Sequence, residues 1–403
     1  MKDIVFVIGN YKNGGVPMRS TNLANAFAEK GYHCTILVTK EIAENVFFNK
    51  HQNVQIVSLN DYISEHKNSS AVKRLLQKND LKIRFFKFFR YFTKSIKSID
   101  GTLDLRIREL RKSRDISVFM AEHKDSIYIA FGISYFEKVF LAAKNFGCKT
   151  IYAERNAPEL EYPTDTKRKN YLISMVSEAA GAVLQTNDEL KFFGDSLKQY
   201  TVINNPVKSD LPERFTGYRR NVVVNFCRIA KQKNIPLMID AFMLLHKDFP
   251  DFRLEIYGNT VADNEEALKA DYINYVKEKG AEAFISFLPP RADVHNAIKD
   301  AMMFVSSSDF EGLSNSMIEA MAIGLPCVCT DCLGGGAREM ITDGENGLLV
   351  PMNDVEQLYL AMKRMITDNS LREKCSLNAY KIRDQLTVEK ISQKWLDFID
   401  SVT

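Results

Sequence analysis

Short continuous apolar runs alternate along this chain with longer stretches whose apolar residues recur every three or four positions. Runs at 4–8, 34–38, 54–59, 150–153, 182–185 and 202–207 predict buried strands, and 118–121 and 126–131 are assigned to the same sheet region. Between them, 18–30, 135–145 and 188–193 have helical spacing. After a polar stretch at 208–220, the alternation resumes. Strands are predicted at 221–226, 253–257, 283–287, 302–306 and 327–329, and helices at 235–245, 265–279, 294–299, 315–322, 355–366 and 370–381. Strand–helix alternation with short connections predicts parallel sheets covered by helices on both faces. The chain therefore divides into an α/β unit over 1–207, a linker, a second α/β unit over 221–385, and a terminal amphipathic helix over 386–403.

One segment breaks the alternation. Residues 84–99 read RFFKFFRYFTKSIKSI, with Phe85, Phe88, Phe89, Phe92, Ile96 and Ile99 on one helical stripe and Lys87, Arg90, Lys94 and Lys97 on another. Six aromatics within residues 85–92 exceed what one core stripe needs. This predicts a basic amphipathic helix lying on an anionic membrane surface. A helix packed on its own domain with a wet basic face is the alternative, and nucleic-acid binding has no supporting motif elsewhere.

Composition adds little beyond this. The 403 residues are 45% hydrophobic and 26% charged, an ordinary globular mix. The net charge of +3 conceals an asymmetry, because residues 67–114 alone hold 15 Lys or Arg against 4 Asp or Glu. The seven cysteines are scattered, and Cys327, Cys329 and Cys332 lack metal-ligand spacing. The chain opens on a strand rather than a leader, and no apolar run reaches the ~20 residues of a membrane span. The expectation is a cytoplasmic protein attached peripherally to the inner face of the membrane.

The candidate chemistry concentrates in residues 304–350. A strand ends at Ser306, and a polar loop carries Asp309, Glu311 and Gly312. A helix starts at Ser314 or Asn315, and Gly334, Gly335 and Gly336 form a second loop before another helix. Glycine loops and helix N-termini present N–H groups to phosphate. Carboxylates accept hydrogen bonds from hydroxyls. Glu311 and Glu319 beside a phosphate cradle suggest a sugar–diphosphate ligand. Two ordinary acids in an α/β domain are the plainer alternative. Near the first strand, Gly14 and Gly15 fit either a ligand turn or a simple tight turn.

The stretch resembles the signature of the retaining nucleotide-sugar glycosyltransferases of family 4, which includes bacterial exopolysaccharide, capsule and lipid-glycan transferases. Glu311 and Glu319 match its two acids with seven residues between. Gly324–Leu325–Pro326, Glu339 and the run 343–350 follow in order. Arg228 and Lys233 match its basic pair. The resemblance implies a GT-B fold, two Rossmann-like domains facing across a cleft. It implies Arg228 and Lys233 as a diphosphate clamp, Glu311 as the sugar clamp and Glu319 as the ribose contact. Further donor contacts are implied at Gly312, Leu313, Ser314, Asn315, Ser316, Gly258, Leu288, Gly14 and Gly15. Acceptor-side candidates are Glu154, Arg155 and Asn156, where relatives carry a histidine and this chain has Arg155, and His123. Retention is expected through same-face attack, with the leaving phosphate taking the acceptor proton. No metal or other cofactor is required, since the two cations stabilise the leaving group. The expected reaction moves a sugar from a nucleotide sugar, UDP-type, to a lipid-linked glycan. A nucleotide-sugar epimerase, a phosphorylase or a non-catalytic scaffold of the same fold are the other readings.

Overall fold

The computed structural model describes residues 3–12, 15–43, 49–93, 97–260 and 263–403. Gly14, Lys94 and Ile96, named above, lie outside the described residues. Seven parallel strands form the first sheet: β1 (Asp3–Ile8), β2 (His33–Val38), β3 (Val54–Ser58), β4 (Ile127–Phe131), β5 (Lys149–Ala153), β6 (Gly181–Leu184) and β7 (Tyr200–Val202). Their order is β3-β2-β1-β4-β5-β6-β7. The second sheet contains β8 (Arg220–Phe226), β9 (Arg253–Tyr257), β10 (Ile285–Leu288), β11 (Ala301–Ser306), β12 (Cys327–Thr330) and β13 (Leu348–Val350), in the order β10-β9-β8-β11-β12-β13. Each sheet reverses direction of growth once, between β1 and β4 and between β8 and β11. Such switch points open a crevice at the carboxyl ends of the strands. The two crevices face each other, which is the GT-B architecture.

The strands are continuous apolar runs because helices cover both sheet faces. β4 and β11 are buried along their whole length. The helices that bear on function are α1 (Gly15–Glu29), α2 (Ser70–Thr93), α3 (Lys97–Glu122), α4 (Ile133–Ala143), α5 (Asn187–Phe193), α6 (Ile235–Asp248), α7 (Val294–Ile298), α8 (Asn315–Ala322), α9 (Gly336–Met340) and α10 (Val388–Val402). The terminal helix α10 buries Ile391, Trp395 and Ile399 and packs against α1. A Cβ added to Gly181 in β6 would lie 2.6 Å from the Phe398 ring, so α10 sits directly on the first domain.

Three sequence expectations are corrected. Residues 118–121 are the last turns of α3, not a strand. Ile107, Ser113, Ile116, Ser117 and Met120 are buried along one helical face, and a short apolar run does not by itself distinguish strand from helix. The strand expected over 202–207 ends at Val202. Beyond it the chain leaves the sheet, with Ile203 N–H still donating to the Leu184 carbonyl. The basic segment is not one helix over 84–99 but parts of the α2–α3 hairpin. Its sidedness is also inverted relative to a packed helix. Arg90 turns inward to Asp104 of α3 at 2.5 Å, and Arg114 reaches Asp80 at 3.3 Å. Phe88 (61% exposed), Tyr91 (79%), Phe85, Phe89 and Phe92 point outward.

Candidate active site

Both switch points contribute to one cavity of about 550 Å³ between the domains. From the first domain come Gly9 and Asn10 after β1, Gly15 and Arg19 of α1, Phe131 at the end of β4, and Arg155 and Asn156 after β5. From the second come Arg228 and Lys233 after β8, Glu311 after β11, and residues 313–316 at the start of α8. The walls are close. A Cβ on Gly15 would lie 3.8 Å from Asn315 Nδ2.

Glu311 is the acid of this cavity. Lys233 Nζ donates to its Oε1, as do Gln232 Nε2 at 3.2 Å and Ser308 Oγ at 3.4 Å. Arg228 in turn donates to Gln232 at 3.1 Å. Burial by itself would lower the Lys233 ammonium. The adjacent Glu311 carboxylate, with Cys227 behind it, outweighs burial and raises the pKa above its usual value. Lys233 is therefore a fixed cation in the wall of the cavity.

The loop that holds Glu311 is fixed by glycine. A Cβ on Gly336 would lie 1.7 Å from the Gly312 carbonyl, and one on Gly334, at φ +86°, 2.1 Å from the Glu311 carbonyl. This corrects the reading of residues 334–336 as a phosphate cradle. These residues do not line the cavity. They brace the Glu311 loop and abut the first domain, where Thr186 Oγ1 donates to the Gly334 carbonyl at 2.7 Å. Glu339 likewise accepts from Asn187 N–H and Nδ2, both at 3.1 Å, rather than facing a ligand. The helix N-terminus that opens into the cavity is that of α8, whose N-cap Ser314 makes no side-chain cap.

Other sequence candidates fall outside the cavity lining. Glu319, one turn along α8 from Asn315, is buried and turned to His295, whose Nε2–H donates to its Oε2 at 2.9 Å, and toward Lys208 at 3.7 Å. Gly258 and Leu288 lie at the carboxyl ends of β9 and β10, joined by the Gly258 N–H to Leu288 carbonyl bond at 3.1 Å. Gly312 packs under the Arg155 carbonyl and Gln185. Glu154 is fully buried, accepting from the Arg155 and Asn156 amides and the Tyr152 hydroxyl. Burial first, and the Glu161 carboxylate second, push its pKa from 4.5 up to about 7. Glu154 thus shapes the β5 turn from below. His123 is not in the cleft. It follows α3 at the amino end of β4, the opposite edge of the sheet, stacked on Phe119 and beside Tyr62.

Sequence reasoning missed Arg19, His295, Asn205 and Gln185. Arg19 Nη2 crosses to Asn315 Oδ1 at 2.9 Å and the Leu313 carbonyl at 3.3 Å. Asn205 Nδ2 also donates to the Leu313 carbonyl, at 3.1 Å, and Gln185 Oε1 accepts from the Leu313 amide at 3.3 Å. The one local signal was a lone arginine in the first turns of a helix that follows a glycine turn.

A second cavity, about 630 Å³, lies away from the cleft between α2, α3 and α4, lined by Leu81, Phe85, Phe86, Leu110 and Leu141 among others.

Residues 213–382 match the model of the family described as glycosyl transferases group 1. A Haemophilus influenzae protein called an uncharacterized glycosyltransferase is 24% identical over 98% of this chain and 99% of its own length. The Campylobacter jejuni N-acetylgalactosamine-N,N'-diacetylbacillosaminyl-diphospho-undecaprenol 4-alpha-N-acetylgalactosaminyltransferase is 27% identical over 64% of this chain and 73% of its own. Among solved structures, a point mutant of S. aureus TarM in complex with fondaparinux, alpha-GlcNAc-glycerol and UDP superposes with a TM-score of 0.72 at 15% identity, covering 99% of both chains. That likeness is one of fold.

Proposed function

Because this chain is a GT-B fold glycosyltransferase related to the family-4 nucleotide-sugar transferases, we propose that it moves a hexose or N-acetylhexosamine from a UDP-sugar to a lipid-linked glycan. The reaction retains the anomeric configuration and serves bacterial surface polysaccharide synthesis at the inner face of the membrane. The observation that carries this reading is the Lys233–Glu311 contact in the inter-domain cavity, whose lining also includes Arg228 and the start of α8.

In this reading Arg228, Lys233 and the first amides of α8 hold the donor diphosphate and stabilise the charge released as the glycosidic bond breaks. Glu311, held in place by three donors, accepts hydrogen bonds from the sugar hydroxyls. With its carboxylate occupied in this way it serves as a clamp, and the acceptor hydroxyl attacks from the face the diphosphate leaves, giving up its proton to the departing phosphate oxygen. Glu319, oriented by His295, meets the ribose at the second-domain side. Domain closure excludes water that would otherwise hydrolyse the donor. The outward aromatic face of α2, with the local excess of basic residues, supports a membrane-borne acceptor. So does the diphospho-undecaprenol acceptor named for the C. jejuni relative.

The test is nucleoside diphosphate release from a panel of UDP-, GDP- and ADP-sugars, with and without membrane lipid extract. Release from a UDP-sugar only when extract is present is the expected result. Conversion of the free nucleotide sugar without extract would instead mark an epimerase. No release from any donor by folded protein would overturn the proposal.

A further inference from the structure

The cavity holds more positive charge than one diphosphate donor needs. Lys12, Arg19 and Arg155 line its first-domain wall and Arg228 and Lys233 the other, while Glu311 is the one carboxylate among the lining residues. Lys233 already pairs with that carboxylate. The two first-domain arginines hydrogen-bond only to neutral groups, while the carboxylates of Glu311, Glu189 and Glu319 act on Arg19, and those of Glu189 and Glu154 on Arg155, from beyond ion-pair distance. Arg19 donates to Asn315 Oδ1 and the Leu313 carbonyl. Arg155 Nη1 donates to the Glu154 carbonyl at 2.7 Å, and its guanidinium lies 4.3 Å from the Phe131 ring centroid and 6.0 Å from that of Trp395. Neither guanidinium has a carboxylate at ion-pair distance among the described residues, and the Nε of each is buried without a hydrogen-bond partner. The nearest acid in sequence, Glu154, is turned away beneath the β5 turn.

Charged groups withdrawn from water without a directly paired counterion are unfavourable, and a ligand that supplies the charge relieves this. Burial first, and then the charge of Arg19, draw the Arg155 pKa down to about 9. Burial draws Arg19 to about 10. Both remain charged at neutral pH and repel each other. Stacking on Phe131 fixes the Arg155 plane, which suits bidentate capture of a phosphate.

We propose that Arg19 and Arg155 form a second anion-binding station, on the first-domain wall of the cleft, that takes a phosphate group of the acceptor. The acceptor is then a phosphate-bearing molecule, either a lipid diphosphate or a polyol phosphate, and not a neutral glycan alone. This rests on the assignment of the donor diphosphate to Arg228 and Lys233.

The full chain saturated with UDP is titrated calorimetrically with glycerol 3-phosphate, with farnesyl diphosphate, and with glycerol. UDP alone is titrated in parallel. The expected result is binding of at least one phosphate probe and not of glycerol, weakened about tenfold or more by R19Q and by R155Q and largely kept in R19K, with UDP affinity unchanged. The stronger of the two phosphate probes identifies the lipid or the polyol source. Absence of binding by both phosphate probes overturns the proposal, as does binding indifferent to the substitutions. A loss of UDP affinity in R19Q and R155Q overturns it too, since the pair then serves the donor. Failure of wild-type protein to bind UDP refutes the donor assignment separately, and the probes are then read on the unliganded chain.

Discussion

Glu311 receives hydrogen bonds from Lys233, Gln232 and Ser308, so its position is set by neighbours rather than by solvent. Glu311→Gln keeps the shape and removes the charge. Sugar transfer is expected to fall by about two to three orders of magnitude, with UDP still bound and the melting temperature lowered because buried Lys233 loses its counter-ion, read by initial rates, calorimetry and thermal melts. Glu154 gives a different signature. The unfolded chain releases this proton near 4.5, while the native chain holds it to about 7. Between those values the native state binds more protons, so wild-type stability falls as pH rises through that window and levels off above it. Glu154→Gln should flatten this part of the decline. Its melting temperature relative to wild type should rise from pH 5 to pH 7.5, and a constant difference would refute the assignment. Arg228, Lys233, Glu311 and Glu319 were singled out in the sequence through their match to the family signature, and the first three line the cavity. Arg19 and His295 were not, because their partners, Asn315 and Glu319, lie far along the chain and meet them only through the fold.

At the scale of elements, parallel strands were legible because burial on both faces writes them as unbroken apolar runs. The end of α3 was misread for the same reason, since Val118–Phe119–Met120 is equally apolar but belongs to a buried helix end. The amphipathic stripe on α2 was legible, and its direction was not. Sequence does not say that Arg90 would face α3 through Asp104 and leave the aromatics outside. That orientation makes a sharp prediction. Replacing Phe85, Phe88 and Phe92 together by Ser should leave the melting temperature within a few degrees of wild type, because these side chains are exposed. Co-sedimentation with vesicles containing phosphatidylglycerol should drop about tenfold or more, since each aromatic contributes buried apolar area in the interface. Equal sedimentation of the two proteins would show that α2 does not carry membrane contact.

At the scale of the whole molecule, the domains meet through a polar seam beside the cavity. Arg338 Nη1 donates to Asp188 at 2.8 Å, Glu339 accepts from Asn187, and Thr186 holds the Gly334 carbonyl. Arg338→Ala should loosen this seam. The expected readouts are a larger radius of gyration in solution scattering without ligand, a raised KM for the donor, and more donor hydrolysis per transfer, because closure is what excludes water. An unchanged profile would place closure elsewhere. The seam was not legible from sequence, where Gly334–Gly336 reads as a ligand loop. The chain passes between the domains twice. It crosses after β7 and returns before α10, and the two passages lie side by side. Val207 N–H donates to the Leu386 carbonyl at 2.8 Å, and Arg383 holds the Leu211 and Pro212 carbonyls. In topological terms the second domain is an insertion whose two ends touch, and α10 is the last piece of its host. This means that residue 207 can be rejoined to residue 386 by a short linker without spanning any distance, which would leave the first domain with all seven of its strands and its covering terminal helix.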